Sequence, residues 1–240
     1  GLPPWILRNI YEMGFEKPTP IQQQAIPIIL EGRDVMACAQ TGSGKTAAFL
    51  IPMLQHIDWD PWPQPPQDPR ALILAPTREL AMQIQEECRK FGKHMNGIRI
   101  MCIYGGTNMR DQMRMLERGP PHIVIATPGR LIDHIERGTL DLDRIEMLVM
   151  DEADRMLDMG FIDQIRRIMR QIPMPWNRQT MMFSATMPDE IQELARRFMR
   201  NPIRINIDMD ELTTNENIKQ WYIYVEREMW KFDCLCRLIE

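Results

Sequence analysis

Seven short apolar runs, rich in β-branched residues, alternate along the chain with longer segments that have the 3.6-residue apolar period of helices. Strands of a parallel sheet are nearly continuously apolar because both of their faces are covered. A repeated strand–helix order needs crossover connections, which place helices on both faces of the sheet. We therefore predict an α/β fold with a mostly parallel sheet. Its strands are expected at 34–39, 71–75, 98–103, 122–126, 145–150, 180–183 and 203–207.

Helix start and stop signals support this order. Thr19 followed by Pro20 supplies a cap and then a proline at the first helical position, and Gly32 suits the end of that helix. Thr77 is predicted to cap a helix that runs to about residue 95. Further helices are expected to open at Thr107, Pro128 and Pro188.

The pattern changes after residue 207. Residues 208–217 are polar and acidic, as in a linker, and they precede a predicted strand at 218–225 and a predicted helix at 228–240. One strand and one helix cannot form an independent core. We therefore expect one complete domain at 1–207, an interdomain linker at 208–217, and the truncated start of a second domain at 218–240. The five prolines of 58–69 indicate a surface connector, with a proline-rich docking motif as the alternative.

Composition limits the class of protein. The net charge is −4, so any nucleic-acid site must be local and cannot come from bulk positive charge. Apolar residues make up 44% and charged residues 26% of the chain, which is typical of a globular protein with a real core. No run of 18 apolar residues occurs, so no membrane association is expected, and the N-terminus lacks the pattern of a signal peptide.

Two residue types are unusual in number or spacing. The odd count of five cysteines, without a C-x-x-C spacing, argues against a disulfide framework and predicts an intracellular protein of the cytoplasm or nucleus. Cys234 and Cys236 are a weak metal signal, and ordinary packing is the preferred interpretation. The 21 methionines are interpreted as core filler, with a methionine-rich binding surface as the alternative.

The strongest local motif is AQTGSGKT at 39–46, which follows a predicted strand and opens a helix. Small residues there let backbone N–H groups wrap a phosphate, as in a P-loop. Lys45 would reach the β- and γ-phosphates, and the Thr46 hydroxyl would bind Mg²⁺. Ala39 departs from the strict pattern, which has glycine, and the alternative is a plain glycine-rich turn. The loop residues assigned to ATP are Thr41, Gly42, Ser43 and Gly44.

An ATP site also needs an acidic residue at the end of a nearby buried strand. Asp151 and Glu152 follow the predicted strand at 145–150. Asp151 would hold Mg²⁺, and Glu152 would orient or deprotonate the attacking water. The alternative is that the two acids only cap the next helix.

With Asp151-Glu152-Ala153-Asp154 the chain resembles the DEAD-box family of ATP-dependent RNA helicases, and the resemblance extends over essentially all 240 residues. It implies that 1–207 is the N-terminal RecA-like ATP-binding domain and that 218–240 begins a second RecA-like domain. It also implies ATP, Mg²⁺ and RNA as ligands. The catalytic residues are then Lys45, Asp151 and Glu152.

The segment GFEKPTPIQ at 14–22 looks like the adenine-reading motif of that family. By resemblance, Gln22 would hydrogen-bond the adenine edge, Phe15 would pack near it, and Lys17 belongs to the same site. An amide offers both a donor and an acceptor, which suits adenine. The alternative is that Gln22 is one of three solvated glutamines on a helix.

Three strand-end segments lie where the family grips the RNA sugar-phosphate backbone. Hydroxyls, exposed N–H groups and two arginines suit contacts that do not read the base sequence. Taken singly, each segment could be only a helix cap. The residues are Pro76, Thr77 and Arg78, then Gly105 and Gly106, then Thr127, Pro128, Gly129 and Arg130.

Ser184 and Thr186 look like the family's coupling motif, with which Asp154 is expected to bond instead of binding the metal. The second domain's arginine-rich segment has no match, so the fragment is expected to bind ATP and hydrolyse it poorly, because arginine fingers contribute roughly 10³–10⁵ in rate. The favoured function is ATP-dependent unwinding of short RNA duplexes. The alternatives are a nucleotide- or partner-binding module without turnover and a P-loop ATPase acting on DNA or protein, which Gln22 and the DEAD sequence disfavour.

Overall fold

The computed structural model describes residues 2–59, 68–95 and 97–207, without the side chain of Trp59. Most of the proline-rich segment, the predicted linker at 208–217 and the predicted start of a second domain, with Cys234 and Cys236, lie outside the described residues. The domain boundaries and the proposed docking role of the proline-rich segment therefore stay predictions.

The strands and helices alternate as predicted. The strands are β1 Val35–Cys38, β2 Ala71–Leu74, β3 Ile100–Ile103, β4 Ile123–Ala126, β5 Met147–Met150, β6 Gln179–Ser184 and β7 Ile203–Asn206. The helices are α1 Pro4–Glu12, α2 Pro20–Leu30, α3 Lys45–Trp59, α4 Arg78–Phe91, α5 Met109–Glu117, α6 Pro128–Glu136, α7 Ala153–Asp158, α8 Ile162–Met169 and α9 Asp189–Phe198, with a 3₁₀ turn at Pro175–Asn177.

The strands form one sheet in the order β3-β4-β2-β5-β6-β1-β7, and every neighbouring pair is parallel. All seven predicted strands are present, and each begins and ends within two residues of its predicted bounds. The predicted α/β class with a parallel sheet is therefore confirmed.

Strands β1–β6 send alternate side chains into two hydrophobic clusters, one on each face of the sheet. Along β5, Val149 packs in the cluster formed with α1–α4, whereas Leu148 packs in the cluster formed with α5–α9. The rings of Phe49 in α3 and Phe183 in β6 lie 5.3 Å apart within the first cluster. Both faces of the sheet are thus covered by helices, which explains why β1–β5 are entirely apolar.

Two helix ends differ from the prediction. α4 ends at Phe91 and not near residue 95, because the helical bonds give way after Gly92 to tighter turns, in which the Lys93 N–H donates to the Lys90 carbonyl and the Met95 N–H to the Gly92 carbonyl. α5 does not open at Thr107. Its cap is Asn108, whose side chain accepts the Arg110 N–H, while the Thr107 hydroxyl donates to the Tyr104 carbonyl.

The methionines mainly fill the core. Met36, Met150, Met156 and Met182 are buried in the second cluster, although Met82, Met115, Met159 and Met174 are exposed. Within the described residues, every helix is too short or too polar to cross a bilayer.

Candidate functional site

The strand order brings the predicted nucleotide and coupling residues together. β6 lies between β1 and β5, so three segments leave the sheet side by side at its carboxyl edge. They are the glycine-rich loop after β1, the two acids after β5, and Ser184–Thr186 at the end of β6. Parallel α/β sheets bind their ligands at this edge.

The glycine-rich loop has the backbone that its sequence predicts. Gly42 and Gly44 have φ angles of +83° and +86°, which L-residues with side chains rarely adopt. Ala39 is buried in the core, and its N–H donates to the Ser184 carbonyl at 3.0 Å. Its φ is not positive, so an alanine fits where the strict pattern has glycine.

A buried ion pair joins the loop to the acids. The Lys45 Nζ lies 3.0 Å from Asp151 Oδ1 and 4.0 Å from a Glu152 oxygen. Asp151 has no exposed surface. Burial raises the pKa of Asp151 above its usual value and the Glu152 carboxylate acts in the same direction, whereas Lys45 opposes both. The two predicted phosphate- and metal-binding groups therefore bind each other in this structure.

Three buried polar atoms around the loop have no hydrogen-bond partner among the described residues. They are Asp151 Oδ2, Ser43 Oγ and Thr19 Oγ1. Buried polar atoms without partners are rare in folded proteins, so a cluster of them at one loop indicates a place for a polar ligand. A carboxylate oxygen with free lone pairs suits a cation, and hydroxyls suit a phosphate or its water shell.

Glu152 has a strained backbone. Its φ of 50° and ψ of 51° lie in the left-handed region, which is uncommon for a residue with a side chain. Its side chain is mostly buried and pairs with Arg155 at 3.3 Å. Such strain persists where the surrounding structure enforces it, typically at functional sites.

Gln22 lies against the glycine-rich loop. It is 4% exposed, whereas its neighbours Gln23 and Gln24 are exposed, so the interpretation of Gln22 as a solvated glutamine is wrong. Its Oε1 accepts the Thr19 N–H at 3.0 Å, and its Nε2 donates to the Gly44 carbonyl at 3.1 Å. Each end of the amide keeps one further bond for a ligand.

The other predicted ATP residues differ in how far they are buried. Phe15 is half-buried, with its ring 5.7 Å from that of Phe91. Lys17 and Thr41 are exposed, and Thr46 is half-buried on the first turn of α3. Their roles stay predictions.

The predicted coupling residues contact one another directly. Asp154 Oδ2 accepts both the N–H and the hydroxyl of Thr186, at 3.1 and 2.9 Å. The Asp154 N–H donates to Ser184 Oγ at 3.1 Å. Asp154 is therefore engaged with the end of β6, while Asp151 points to Lys45.

The three predicted RNA segments also leave the sheet together, because β3, β4 and β2 are neighbours. Thr77 caps α4, and its hydroxyl accepts the Leu80 N–H. The Arg78 guanidinium lies over the Tyr104 ring, 5.0 Å from its centre. The exposed members of these segments are Arg78, Gly105, Gly106 and Gly129; Thr77 and Thr127 are half-buried, and Pro76 and Pro128 are buried.

Arg130 is placed differently from its predicted role as a phosphate ligand. Its side chain is 12% exposed and lies 3.7 Å from Asp133. Its Nη1 donates to the Thr107 carbonyl at 3.1 Å and to Gln112 Oε1 at 3.2 Å. Gln112 was not identified from the sequence, where it is one polar residue on a polar helix.

Comparison with known proteins gives one family. Residues 19–194 match the family model described as DEAD/DEAH box helicase. The ATP-dependent RNA helicase DeaD of Buchnera aphidicola is 49% identical over the whole chain, and the chain spans 38% of that protein. Eukaryotic initiation factor 4A of Caenorhabditis elegans is 51% identical over 97% of the chain, which spans 56% of the factor. The ATP-dependent RNA helicase CshA of Listeria monocytogenes is 48% identical, and the chain spans 44% of it.

Proposed function

The chain belongs to the DEAD/DEAH box helicase family, and on that premise we propose that it binds ATP and the backbone of RNA as one half of an ATP-dependent RNA helicase. The observation that carries the proposal is the buried Lys45–Asp151 pair beside the glycine-rich loop, with Asp151 Oδ2 left unpartnered. The chain spans less than two thirds of the curated relatives named above, and we propose that a second RecA-like domain supplies the other half.

ATP would bind between the loop and α2. The loop N–H groups and Lys45 would hold the phosphates, which requires Lys45 to exchange Asp151 for a phosphate oxygen. Gln22 would then use its remaining donor and acceptor on the adenine edge, with Phe15 and Lys17 nearby. Because Gln22 also bonds to Gly44, base and phosphate recognition would be joined through one side chain.

The residues present suit a magnesium ion. Asp151 Oδ2 is a carboxylate oxygen without a partner among the described residues, and Thr46 follows Lys45 on the first turn of α3. We propose these two residues as its ligands. When bound, such an ion would neutralise the charge that develops on the phosphate oxygens during hydrolysis.

Hydrolysis would use Glu152. Its carboxylate would orient a water for attack on the γ-phosphorus and accept the proton as the bond to the β–γ bridging oxygen breaks. Arginines of the second domain would stabilise the transition state. Because such groups contribute roughly 10³–10⁵ in rate, these 240 residues alone should turn over slowly.

RNA would bind along the carboxyl ends of β3, β4 and β2. Helix N-termini at Thr77 and Thr127, the exposed loop at Gly105–Gly106 and the Arg78 side chain provide N–H, hydroxyl and guanidinium donors for phosphate and sugar. Such contacts read the backbone and not the base sequence. Because the donors are concentrated at this edge of the sheet, RNA binding there does not require the whole chain to carry a net positive charge.

Nucleotide selectivity tests the ATP site. We expect fluorescent ATP to bind with Mg²⁺ at least tenfold more tightly than the matching GTP, and Gln22→Leu to reduce that ratio toward one. Gln23→Leu is the matched control, since Gln23 is an exposed glutamine on the same helix, and should leave the ratio unchanged. Equal affinities for ATP and GTP in the unaltered chain would refute the adenine assignment.

Turnover separates the helicase from a binding module. In a protein with the second domain restored, RNA should stimulate ATP hydrolysis, and Glu152→Gln should abolish the stimulated rate while retaining nucleotide binding. Unchanged turnover in that variant would show that Glu152 is not catalytic. No RNA stimulation in the restored protein would favour the module.

A further inference from the structure

A buried polar cluster lies beneath the carboxyl ends of β3 and β4. It consists of Gln112 on α5, Arg130 and His134 on α6, and Thr107 and Thr139 beside them. Gln112 is 6% exposed and His134 is fully buried. The cluster joins the loop that carries Gly105 and Gly106 to the helix that follows β4.

Gln112 makes four contacts, three with other members of the cluster and one with the Tyr104 carbonyl. Its Nε2 donates to the Tyr104 carbonyl at 3.1 Å and to Thr107 Oγ1 at 2.8 Å. Its Oε1 lies 3.2 Å from Arg130 Nη1 and 2.9 Å from His134 Nε2. All the hydrogen-bonding capacity of the amide is therefore in use.

These contacts determine which ring nitrogen of His134 carries the proton. Because Gln112 Oε1 can only accept, His134 Nε2 must carry the proton, and its Nδ1 faces Thr139 Oγ1 at 2.8 Å. Burial lowers the pKa of His134, and the nearby Arg130 charge acts in the same direction. The imidazole is thus neutral at pH 7 and serves as a fixed donor to Gln112.

The bonds hold both ends of one short loop. The Tyr104 carbonyl and the Thr107 hydroxyl accept from Gln112, and the Thr107 carbonyl accepts from Arg130. Gly105 and Gly106 lie between these two points and have no side chains to anchor them. The position of their exposed backbone relative to the start of α6 therefore depends on the cluster.

We propose that Gln112, oriented by His134 and Arg130, is a positioning residue for RNA binding: it fixes the Gly105–Gly106 loop against the N-terminus of α6 without touching RNA. The inference rests on the proposed function, because it assumes that both segments contact the RNA backbone. It also assigns Arg130 to this positioning role in place of a phosphate contact.

Three variants separate the effect of losing the Gln112 bonds to the loop from the effect of a general loss of stability. Gln112→Met removes all four contacts. Gln112→Glu keeps an acceptor for Arg130 and His134 but loses the donors to the loop. Leu116→Ala is the matched control, because Leu116 is buried on the same helix, packs in the hydrophobic core and makes none of these bonds.

Three measurements on the 240-residue chain test the proposal. Binding of a labelled single-stranded oligouridylate at low salt should weaken about tenfold or more in both Gln112 variants, as expected when a buried donor is lost. Leu116→Ala should stay within about twofold at a temperature where all variants are folded, and ATP affinity should stay within about twofold in every variant. Amide exchange at residues 105–107 should accelerate in the Gln112 variants but not in Leu116→Ala.

A further pair of variants tests whether His134 orients the Gln112 side chain. His134→Gln retains a donor near the position of Nε2, whereas His134→Met does not. We expect the glutamine variant to recover most of the RNA affinity that the methionine variant loses.

The outcomes distinguish failure of the positioning role of Gln112 from failure of the proposed function. If the parent chain binds RNA and the Gln112 variants bind it equally well, the positioning role is refuted while the proposed function stands. Unchanged exchange at residues 105–107 refutes it as well. If the parent chain binds no RNA at all, the RNA role of the cluster fails together with the proposed function.

Discussion

Replacing Lys45 by methionine tests whether the Lys45–Asp151 pair is charged in the ligand-free protein. The substitution leaves a fully buried carboxylate whose Oδ1 retains only the Glu152 N–H and whose Oδ2 has no partner among the described residues. At the observed 3.0 Å and an effective dielectric constant of about 20, the lost attraction is about 5–6 kcal/mol. Asp151 can avoid most of this cost by taking up a proton.

Protonation therefore sets the upper limit of the destabilisation. From an unfolded-state pKa of about 3.9, protonating the carboxyl costs about 4 kcal/mol at pH 7 and about 1.5 kcal/mol at pH 5. We expect Lys45→Met to lose about 3–4 kcal/mol at pH 7 and no more than about 1.5 kcal/mol at pH 5. The sign follows from the removal of Lys45, which opposes the rise that burial causes in the pKa of Asp151. Without Lys45 the folded-state pKa rises further, so the variant is most stable at low pH and loses stability as the pH rises through that pKa.

Urea unfolding at pH 5, 6 and 7, followed by tryptophan fluorescence, measures these differences. The double variant Lys45→Met/Asp151→Asn should recover much of the loss, because it buries no charge. Lys17→Met removes an exposed lysine and should change the free energy of unfolding little at any of the three pH values. Equal losses at pH 5 and pH 7, or a double variant as unstable as the single one, would refute the charged pair.

Three further changes have defined outcomes. Gly44→Ala should abolish detectable ATP binding in a titration, because its Cβ would lie 2.6 Å from Gln22 Nε2 and its φ is +86°. Glu152→Gly should raise the free energy of unfolding by about 1 kcal/mol in urea, by relieving the left-handed backbone, while it removes hydrolysis in a two-domain protein. Burial lowers the pKa of His122 from 6.5 to about 4, so about 3 kcal/mol of stability present above pH 6.5 should be lost toward pH 4, and His122→Asn should lack that dependence in pH-dependent unfolding.

Most of the strands were predictable because burial on both faces makes them almost entirely apolar, and this is a local signal. Strand order is not local. Nothing in the sequence places β6 between β1 and β5, yet this order brings Ser184 to Asp154, 30 residues away in the chain. The family resemblance supplied that juxtaposition, and spacing alone could not.

The hydrogen-bond partners of individual side chains were the least predictable part of the site. Arg130 has the residue type of a phosphate ligand, but its partners come from α5 and from the loop after β3, so only the folded chain shows that it is engaged. Gln22 shows the reverse. Its sequence context is compatible with a solvated glutamine. The folded chain instead buries it, because α2 lies beside the glycine-rich loop and Gln22 bonds to Gly44.

The sheet also limits how ATP could control RNA binding. β2 pairs with both β4 and β5, and the Asp151 N–H donates to the Leu74 carbonyl at the end of β2, two residues before the Pro76–Arg78 segment. The proposed ATP and RNA residues are therefore carried by adjacent strands of one sheet that is packed on both faces. Close-packed cores of this kind do not deform continuously, so large relative movement of the two sets within the domain is unfavourable. We therefore expect control of RNA affinity by ATP to come chiefly from the proposed second domain, which would add its own contacts, and from short segments such as Ser184–Thr186 at the sheet's edge.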